Sequence, residues 1–247
     1  MGVSTVPAVT ATGDYEPLQA LPPIAGVVDR RAFLLREVTG RRVVHLGCVD
    51  DRLTESRLDA GLLLHARFAE VASSLVGVDI SEPGIELLRE RVPGAYEVGD
   101  VQALATVPLP NEVDVVVASE LIEHLPNPGL FLVGLRDLLA ARGATGIITT
   151  PNAYGWVSFA KLARRRREPT HPDHVLVYSP YTLVNALQAA GLVVDELWMH
   201  DWDRPPGVTN RVRGIVARAV RRWNPYLSPG LVVRVSAPRS SATATTR

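Results

Sequence analysis

The strongest constraint on this chain is a rhythm: short apolar runs recur with amphipathic stretches between them. RRVVHLG (41–47), SLVGVDI (74–80), AYEVGD (95–100), VDVVVAS (113–119) and TGIITT (145–150) read as strands, rich in β-branched residues and bounded by Gly, Asp or Ser. Helical punctuation fills the gaps. Leu58, Leu62, Phe68 and Val71 fall at mostly helical spacing, which predicts one helix over 56–73. Ser81 is placed to cap a helix carrying Ile85, Leu88 and Val92. Asn127 and Pro128 start another that runs through Leu139 to a stop at Gly143, and Ser179, Pro180 and Gly191 repeat that start and stop. Strands that alternate with helices need crossover connections, hence a mostly parallel sheet covered on both faces. Ligands of such α/β sheets sit beyond the carboxyl ends of the strands, so the residues just after each strand come first.

Carboxylates recur there: Asp50 and Asp51, then Asp79, Asp100 and Glu120. A ligand with a pyrophosphate would need the G-x-G-x-x-G turn, whose bare N–H groups meet phosphate oxygens. Gly47 instead stands alone until Gly61, and the Asp50–Asp51 pair would repel the anion. The same features argue against a nicotinamide-dependent oxidoreductase on a similar sheet. They suit a cationic nucleoside without phosphate, whose ribose hydroxyls and adenine amine donate to carboxylate acceptors.

VVHLGCVD, VGVDIS, YEVGDVQAL and VDVVVASELIEHLPNP, from about Arg41 to Pro151, resemble in order and spacing the successive motifs of class I S-adenosylmethionine-dependent methyltransferases. The resemblance implies a Rossmann-like doubly wound, mostly parallel seven-stranded sheet with a late antiparallel strand and helices on both faces. It implies S-adenosyl-L-methionine as cofactor and S-adenosyl-L-homocysteine as product. By it Gly47 lies against the methionine part, Asp79 takes the ribose diol, and Ile80 packs on the adenine. Asp100 with Val101 reads the adenine edge, and Ser119 and Glu120 line the floor; His45, Cys48 and Asp50 complete the expected cofactor-binding set. His45 departs from the family, which usually begins this turn with an acidic residue, and Val49 and Asp50 stand where it has further glycines.

Methyl transfer is an in-line displacement, so the protein must hold nucleophile and sulfonium together and remove the acceptor's proton. Histidine is the usual base for a hydroxyl. His124 in ELIEHLPNP and His171 and His174 in THPDHV are the candidates, with His174 first for a substrate-side role because HVLVYSPYTL resembles a segment of small-molecule methyltransferases. No metal is expected; were one held, His171, Asp173 and His174 with Glu120 or Glu123 would hold it, although an H-x-x-H containing Pro172 is not the one-face pair of a helical metal motif.

The segment 151–178 reads as a substrate lid, with Tyr154, Trp156 and Phe159 as apolar faces, Arg164 heading a run of arginines, and Tyr178 at its end. A basic insertion at about 204–228 carries Val212, Ile215, Val216, Ala219, Val220 and Trp223 opposite Arg211, Arg218 and Arg222. Such a helix can cap the core, face a homodimer partner, or lie on a membrane surface through 209–223, as a lipid-linked acceptor would require.

The expected organisation is therefore a flexible start (1–28), one methyltransferase domain (29–237) and a flexible tail (238–247). Its 26 basic residues balance its 26 acidic ones, giving a net charge of +0 and no global pull towards nucleic acid. Cys48 is the single cysteine, and no basic-then-apolar leader or membrane-length run is present, which predicts a cytoplasmic protein, peripheral at most to a membrane. The expected activity is methyl transfer to a hydroxyl, less readily an amine, of a small molecule or glycan. The alternatives are the oxidoreductase above and a non-catalytic member that only binds the cofactor.

Overall fold

The computed structural model describes residues 18–167, 170–201 and 208–238. Most of the expected flexible ends (1–17 and 239–247), a piece of the lid (168–169) and the start of the basic insertion (204–207) lie outside the described residues.

The strands are β1 (Gly26–Asp29), β2 (Arg42–Leu46), β3 (Ser74–Asp79), β4 (Ala95–Val98), β5 (Val115–Ser119), β6 (Thr145–Pro151), β7 (Val193–Asp201) and β8 (Gly230–Ser236). The helices are α1 (Arg30–Val38), α2 (Thr54–Asp59), α3 (Leu64–Ala69), α4 (Glu82–Arg91), α5 (Pro128–Arg142), α6 (Trp156–Arg165), α7 (Pro180–Ala189) and α8 (Val208–Trp223). One 8-stranded sheet has the order β1-β7-β8-β6-β5-β2-β3-β4. β8 runs antiparallel to both β6 and β7, while the other neighbours pair in parallel. This is the expected mostly parallel sheet with its late antiparallel strand.

The strand beyond seven is β1, which begins inside the stretch read as a flexible start. GVVD is too short to carry an alternation of its own. Its place comes from pairing with β7, Val27 opposite Met199 and Val28 opposite His200. The helix expected over 56–73 is instead two short ones, because Gly61 turns the chain at φ +65° and the N–H groups of Leu62 and Leu63 both donate back to the Arg57 carbonyl.

Side-chain alternation along the strands divides the core. Val44, Leu46, Val116, Ala118 and Ile148 pack against Phe131 and Leu135 of α5 and Leu183 of α7. Val43, Val115, Val117 and Ile147 face the other way, onto Phe33 and Leu34 of α1 and Phe68 of α3. Both faces are thus apolar, as parallel strands between helices require, and each fully buried side chain of this kind contributes roughly 1.5–3 kcal/mol. The caps hold the helices in register: Ser81 Oγ accepts the Gly84 N–H, Ser179 and Thr182 form a reciprocal capping box, and Gly143 ends α5 at φ +61°.

β2 lies between β3 and β5, so connections leave it in opposite directions along the sheet. A crevice opens where they part, at the ends of β2 and β5.

Candidate active site

The crevice is a cleft of about 240 Å³, a little below the ~300–1,000 Å³ size usual for small-molecule sites. Gly47, Asp79, Ile80, Asp100, Val101 and His124 line it, and among the described residues neither Lys nor Arg does. Gly47 sits at φ +71°, and a Cβ there would lie 3.0 Å from Leu121 Cδ1. Glycine is therefore favoured by conformation, and a side chain there would also press on Leu121. Asp79 closes β3; its Oδ2 accepts the Val49 N–H and its Oδ1 the Ser81 N–H, both at 3.0 Å, which fixes the carboxylate at the rim. Ile80 follows it and is 70% exposed, an apolar side chain with no protein cover. Asp100 Oδ1 accepts the Gln102 N–H at 2.8 Å. Two fixed carboxylates, an uncovered aliphatic face and no cation make a cleft that attracts a cationic nucleoside and repels a pyrophosphate.

At the edge of the cleft three imidazoles meet. The His124 ring centroid is 4.5 Å from that of His174 and 5.9 Å from that of His171, and the latter two are 5.7 Å apart. His124 belongs to the turn after β5, whereas His171 and His174 come from the lid. The lid is tied down there, since Val175 and Leu176 both donate backbone N–H groups to the Glu123 carbonyl. Burial, then the neighbouring imidazoles, lower His124 and His174 below the ordinary histidine value, so both are neutral at pH 7. His174 Nδ1 pairs with Thr170 Oγ1 at 3.0 Å, and His171 Nδ1 lies 3.6 Å from the Asp173 carboxylate.

Glu123 stands behind them, buried at 1% exposure. Its Oε2 accepts from Thr150 Oγ1 at 2.8 Å, while its Oε1 has no hydrogen-bond partner and lies 4.0 Å from His174 Nε2. Burial, then the charge of Glu120, push its carboxyl up to about 8. Glu120 itself adopts φ 52°, a left-handed conformation unusual for a residue with a side chain, and such strain gathers at functional sites. It is held there: its N–H donates to the Thr149 carbonyl, its Oε1 accepts from Thr149 Oγ1 at 2.9 Å, and Arg30 Nη1 lies 3.3 Å away. Ser119 Oγ shares this network with Thr149 Oγ1 at 3.0 Å. His200 reaches it from β7, its Nε2 3.9 Å from Glu120 Oε1, in a space that exists because residue 230 is a glycine.

Several expected cofactor residues lie elsewhere. His45 points to the opposite face of β2, as its odd register with Val43 requires, and is buried with Nδ1 3.1 Å from His65 Nδ1. Cys48 is also buried, packed near Ile85, Leu88 and Tyr96, and burial pushes its thiol well up from the ordinary value. Asp50 pairs with Arg57 and does not line the cleft. These three shape the turn from behind it.

In the lid, α6 buries none of its side chains; Phe159 is 71% exposed, Tyr154 and Arg164 are exposed, and Trp156 is half-buried. Tyr178 is different. It is buried, its hydroxyl lacks a hydrogen-bond partner, and burial followed by Glu123 pushes it up to about 12.

The sequence reading named Glu123 only as an accessory metal ligand and did not reach Arg30, Thr149 or His200. Glu123 stands beside His124 in a recognisable motif, so a charged residue flanked by Ile122 and Leu125 was the available signal. The other three carry none: they arrive from β6, β7 and the start of α1, far apart in the chain.

A model of methyltransferase domains matches residues 24–197, which takes in the whole cleft and its histidines. The chain belongs to the methyltransferase-domain family. As a class I methyltransferase it uses S-adenosylmethionine, the cofactor that the carboxylate-lined cleft fits. It is 26% identical over 195 residues to the ubiquinone biosynthesis O-methyltransferase of Aeromonas salmonicida, covering 75% of this chain and 76% of that protein. It is 30% identical over 152 residues to the enzyme of the same name from Burkholderia orbicola, covering 61% of this chain and 56% of that one. The methyltransferase chain thus spans a little over half the length of that second relative. Its fold is similar to an S-adenosylmethionine-dependent methyltransferase from Archaeoglobus fulgidus (TM-score 0.50, 19% identity, 83% of this chain and 92% of that one). It is also similar to the small RNA methyltransferase HEN1 (TM-score 0.55, 15% identity, 92% of this chain and 27% of that one).

Proposed function

We propose that this methyltransferase moves a methyl group onto a hydroxyl of a small molecule or glycan. The observation that carries the reading is the junction of the cleft with the three-histidine cluster: a hydroxyl seated between them faces the cofactor on one side and neutral imidazoles on the other. The two relatives named O-methyltransferases support oxygen over nitrogen. Bound S-adenosylmethionine supplies the methyl group on its sulfonium. Asp79 would accept from the ribose hydroxyls, Ile80 and Val101 would cover the adenine with Asp100 at its edge, and Gly47 would leave room for the methionine end. Ser119 and Glu120 would form the floor.

Activation of the acceptor hydroxyl falls to the cluster. His124 lines the cleft, and as a neutral imidazole it would receive the hydroxyl proton directly, with His174 and His171 behind it. Residues 151–178 act as the lid in this reading, offering Tyr154, Trp156 and Arg164 to the acceptor and Tyr178 at the inner end, all within a single catalytic domain over 29–237. The exposed Phe159 and Leu162 of α6, with Lys161, Arg164 and Arg165, and the exposed Ile215 and Trp223 of α8 would let the lid side rest on a membrane that carries an apolar acceptor. No helix among the described residues is long and apolar enough to cross one. On the two faces expected of α8, the side chains of Arg211, Val212 and Val216 lie outside the described residues.

Incubation with methyl-labelled cofactor and a panel of phenols, sugars and amines tests the proposal. Label is expected on hydroxylated acceptors; label confined to amines would reject the oxygen assignment. Gly47→Ala is expected to weaken cofactor binding at least several-fold, because alanine at φ +71° costs about 1 kcal/mol or more and drives Leu121 towards the cleft. Calorimetric titration of the variant checks it.

A further inference from the structure

We propose that His124, His171 and His174 form a binding site for a first-row divalent metal ion of the zinc class, open towards the cofactor cleft. Each histidine offers one ring nitrogen, and these atoms all lie within 4.8 Å of one another. Three nitrogens around one tetrahedral zinc stand roughly 3.3 Å apart, from bond lengths of ~2.0–2.1 Å, so small movements of the three rings bring them onto a common ion. His171 is half exposed at its ring, so that ring has room to turn.

A second observation points to the same ion. Among the described residues Glu123 Oε1 is buried without a hydrogen-bond partner, 4.0 Å from His174 Nε2. An orphaned carboxylate oxygen beside converging imidazoles is what a cation would satisfy, as a fourth ligand or through a water. The surrounding contacts also fit a ligand set: Thr170 Oγ1 holds His174 Nδ1 at 3.0 Å, and the Asp173 carboxylate stands 3.6 Å from His171 Nδ1. Three nitrogens favour zinc, cobalt or nickel over magnesium, which prefers oxygen.

The inference rests on the hydroxyl reading above and sharpens it. His124 lines the cleft, so an ion on the cluster stands where an acceptor hydroxyl would enter and can hold it as a ligand. In the loaded protein the imidazoles would be ligands, and the ion would make a hydroxyl held on it more acidic, so that its proton leaves to solvent before the methyl group is transferred.

Cobalt(II) titrated into chelator-treated full-length protein gives the test. We expect visible ligand-field absorption that saturates at one equivalent, is displaced by zinc, survives excess magnesium, and falls at least tenfold in affinity in His171→Ala and His174→Ala. His171→Ala removes a half-exposed ring, so its folding is checked by an unchanged melting temperature and unchanged S-adenosylmethionine binding. No saturable absorption, or absorption untouched by both substitutions, overturns the site; so does displacement by magnesium as readily as by zinc. The two readings fail separately. Cobalt bound by the cluster in a protein that methylates no hydroxyl keeps the metal site and removes the hydroxyl assignment, whereas full hydroxyl methylation after chelation, with no cobalt bound, does the reverse.

Discussion

His124→Ala is expected to lower the methyl-transfer rate by about 10²–10⁴-fold, the usual worth of a positioned proton-transfer group, while S-adenosylmethionine affinity changes little. The split follows from geometry. His124 lines the cleft, and its ring also meets those of His171 and His174 from the lid. Losing the ring removes the group nearest the acceptor whether it works as a base or as a metal ligand. Because burial lowers His124 and His174, these two rings stay neutral somewhat below pH ~6.5, and the wild-type rate should hold at neutral pH and fall only as acid protonates them. Single-turnover rates and calorimetric cofactor titrations, run side by side, check both halves. A variant that kept its rate would remove the cluster from the chemistry.

The second large effect concerns His45 and His65, which sit behind the cleft and take no part in it. His65 is fully buried, its Nδ1 3.1 Å from His45 Nδ1 and its Nε2 3.2 Å from Tyr96 Oη. Burial pushes His65 down to about 4, and burial with the His65 ring pushes His45 well below its ordinary value. In the unfolded chain both take up protons below pH ~6.5; in the folded chain they do not until far lower, so acid favours unfolding. From pH 6.5 to about 4 the His65 term alone removes roughly 3 kcal/mol, with His45 adding in the same direction. That is a sizeable part of the 5–15 kcal/mol typical of a folded domain. Glu123 works the other way: its folded carboxyl is raised to about 8, so it stabilises the fold increasingly as pH drops from there to the ordinary carboxylate range. A comparison removes that overlap. The double variant His45→Leu and His65→Leu should show a urea stability that declines less between pH 6.5 and 4 than wild type, by about 3 kcal/mol or more; identical slopes would contradict the burial argument.

Why some of this was legible in the sequence is a matter of range. The runs 43–46, 75–78 and 115–118 are apolar because both faces of their strands are covered, and that cause is local enough to read as a pattern. Ser81, Ser179 and Gly143 cap the helices they were expected to cap, since capping involves residues within one turn. Gly47, Asp79, Ile80, Asp100, Val101 and His124 do share one cleft, because each follows a strand whose neighbours are set by the crossover rule.

What escaped was set by partners distant in the chain. β1 is a strand through its pairing with β7, and nothing within GVVD announces that. His45 differs from the expected cofactor residue by one register step on β2, and its partner His65 lies on α3, so neither could be seen from the motif VVHLG. Helical spacing over 56–73 was real on one face, yet Gly61 at positive φ broke the helix. The meeting of His124 with His171 and His174 depends on backbone bonds from Val175 and Leu176 to Glu123, which tie the lid to the turn after β5.

The central claim is that the cleft bounded by Gly47, Asp79 and Asp100 holds S-adenosylmethionine. Thermal unfolding with added ligand measures it directly, since a ligand that binds only the folded state raises the melting temperature with its concentration. The wild-type protein should be stabilised by S-adenosylmethionine and by S-adenosylhomocysteine and not by NAD, and Asp79→Ala should lose most of that shift. A melting temperature unmoved by S-adenosylmethionine, or moved equally in Asp79→Ala, would contradict the account.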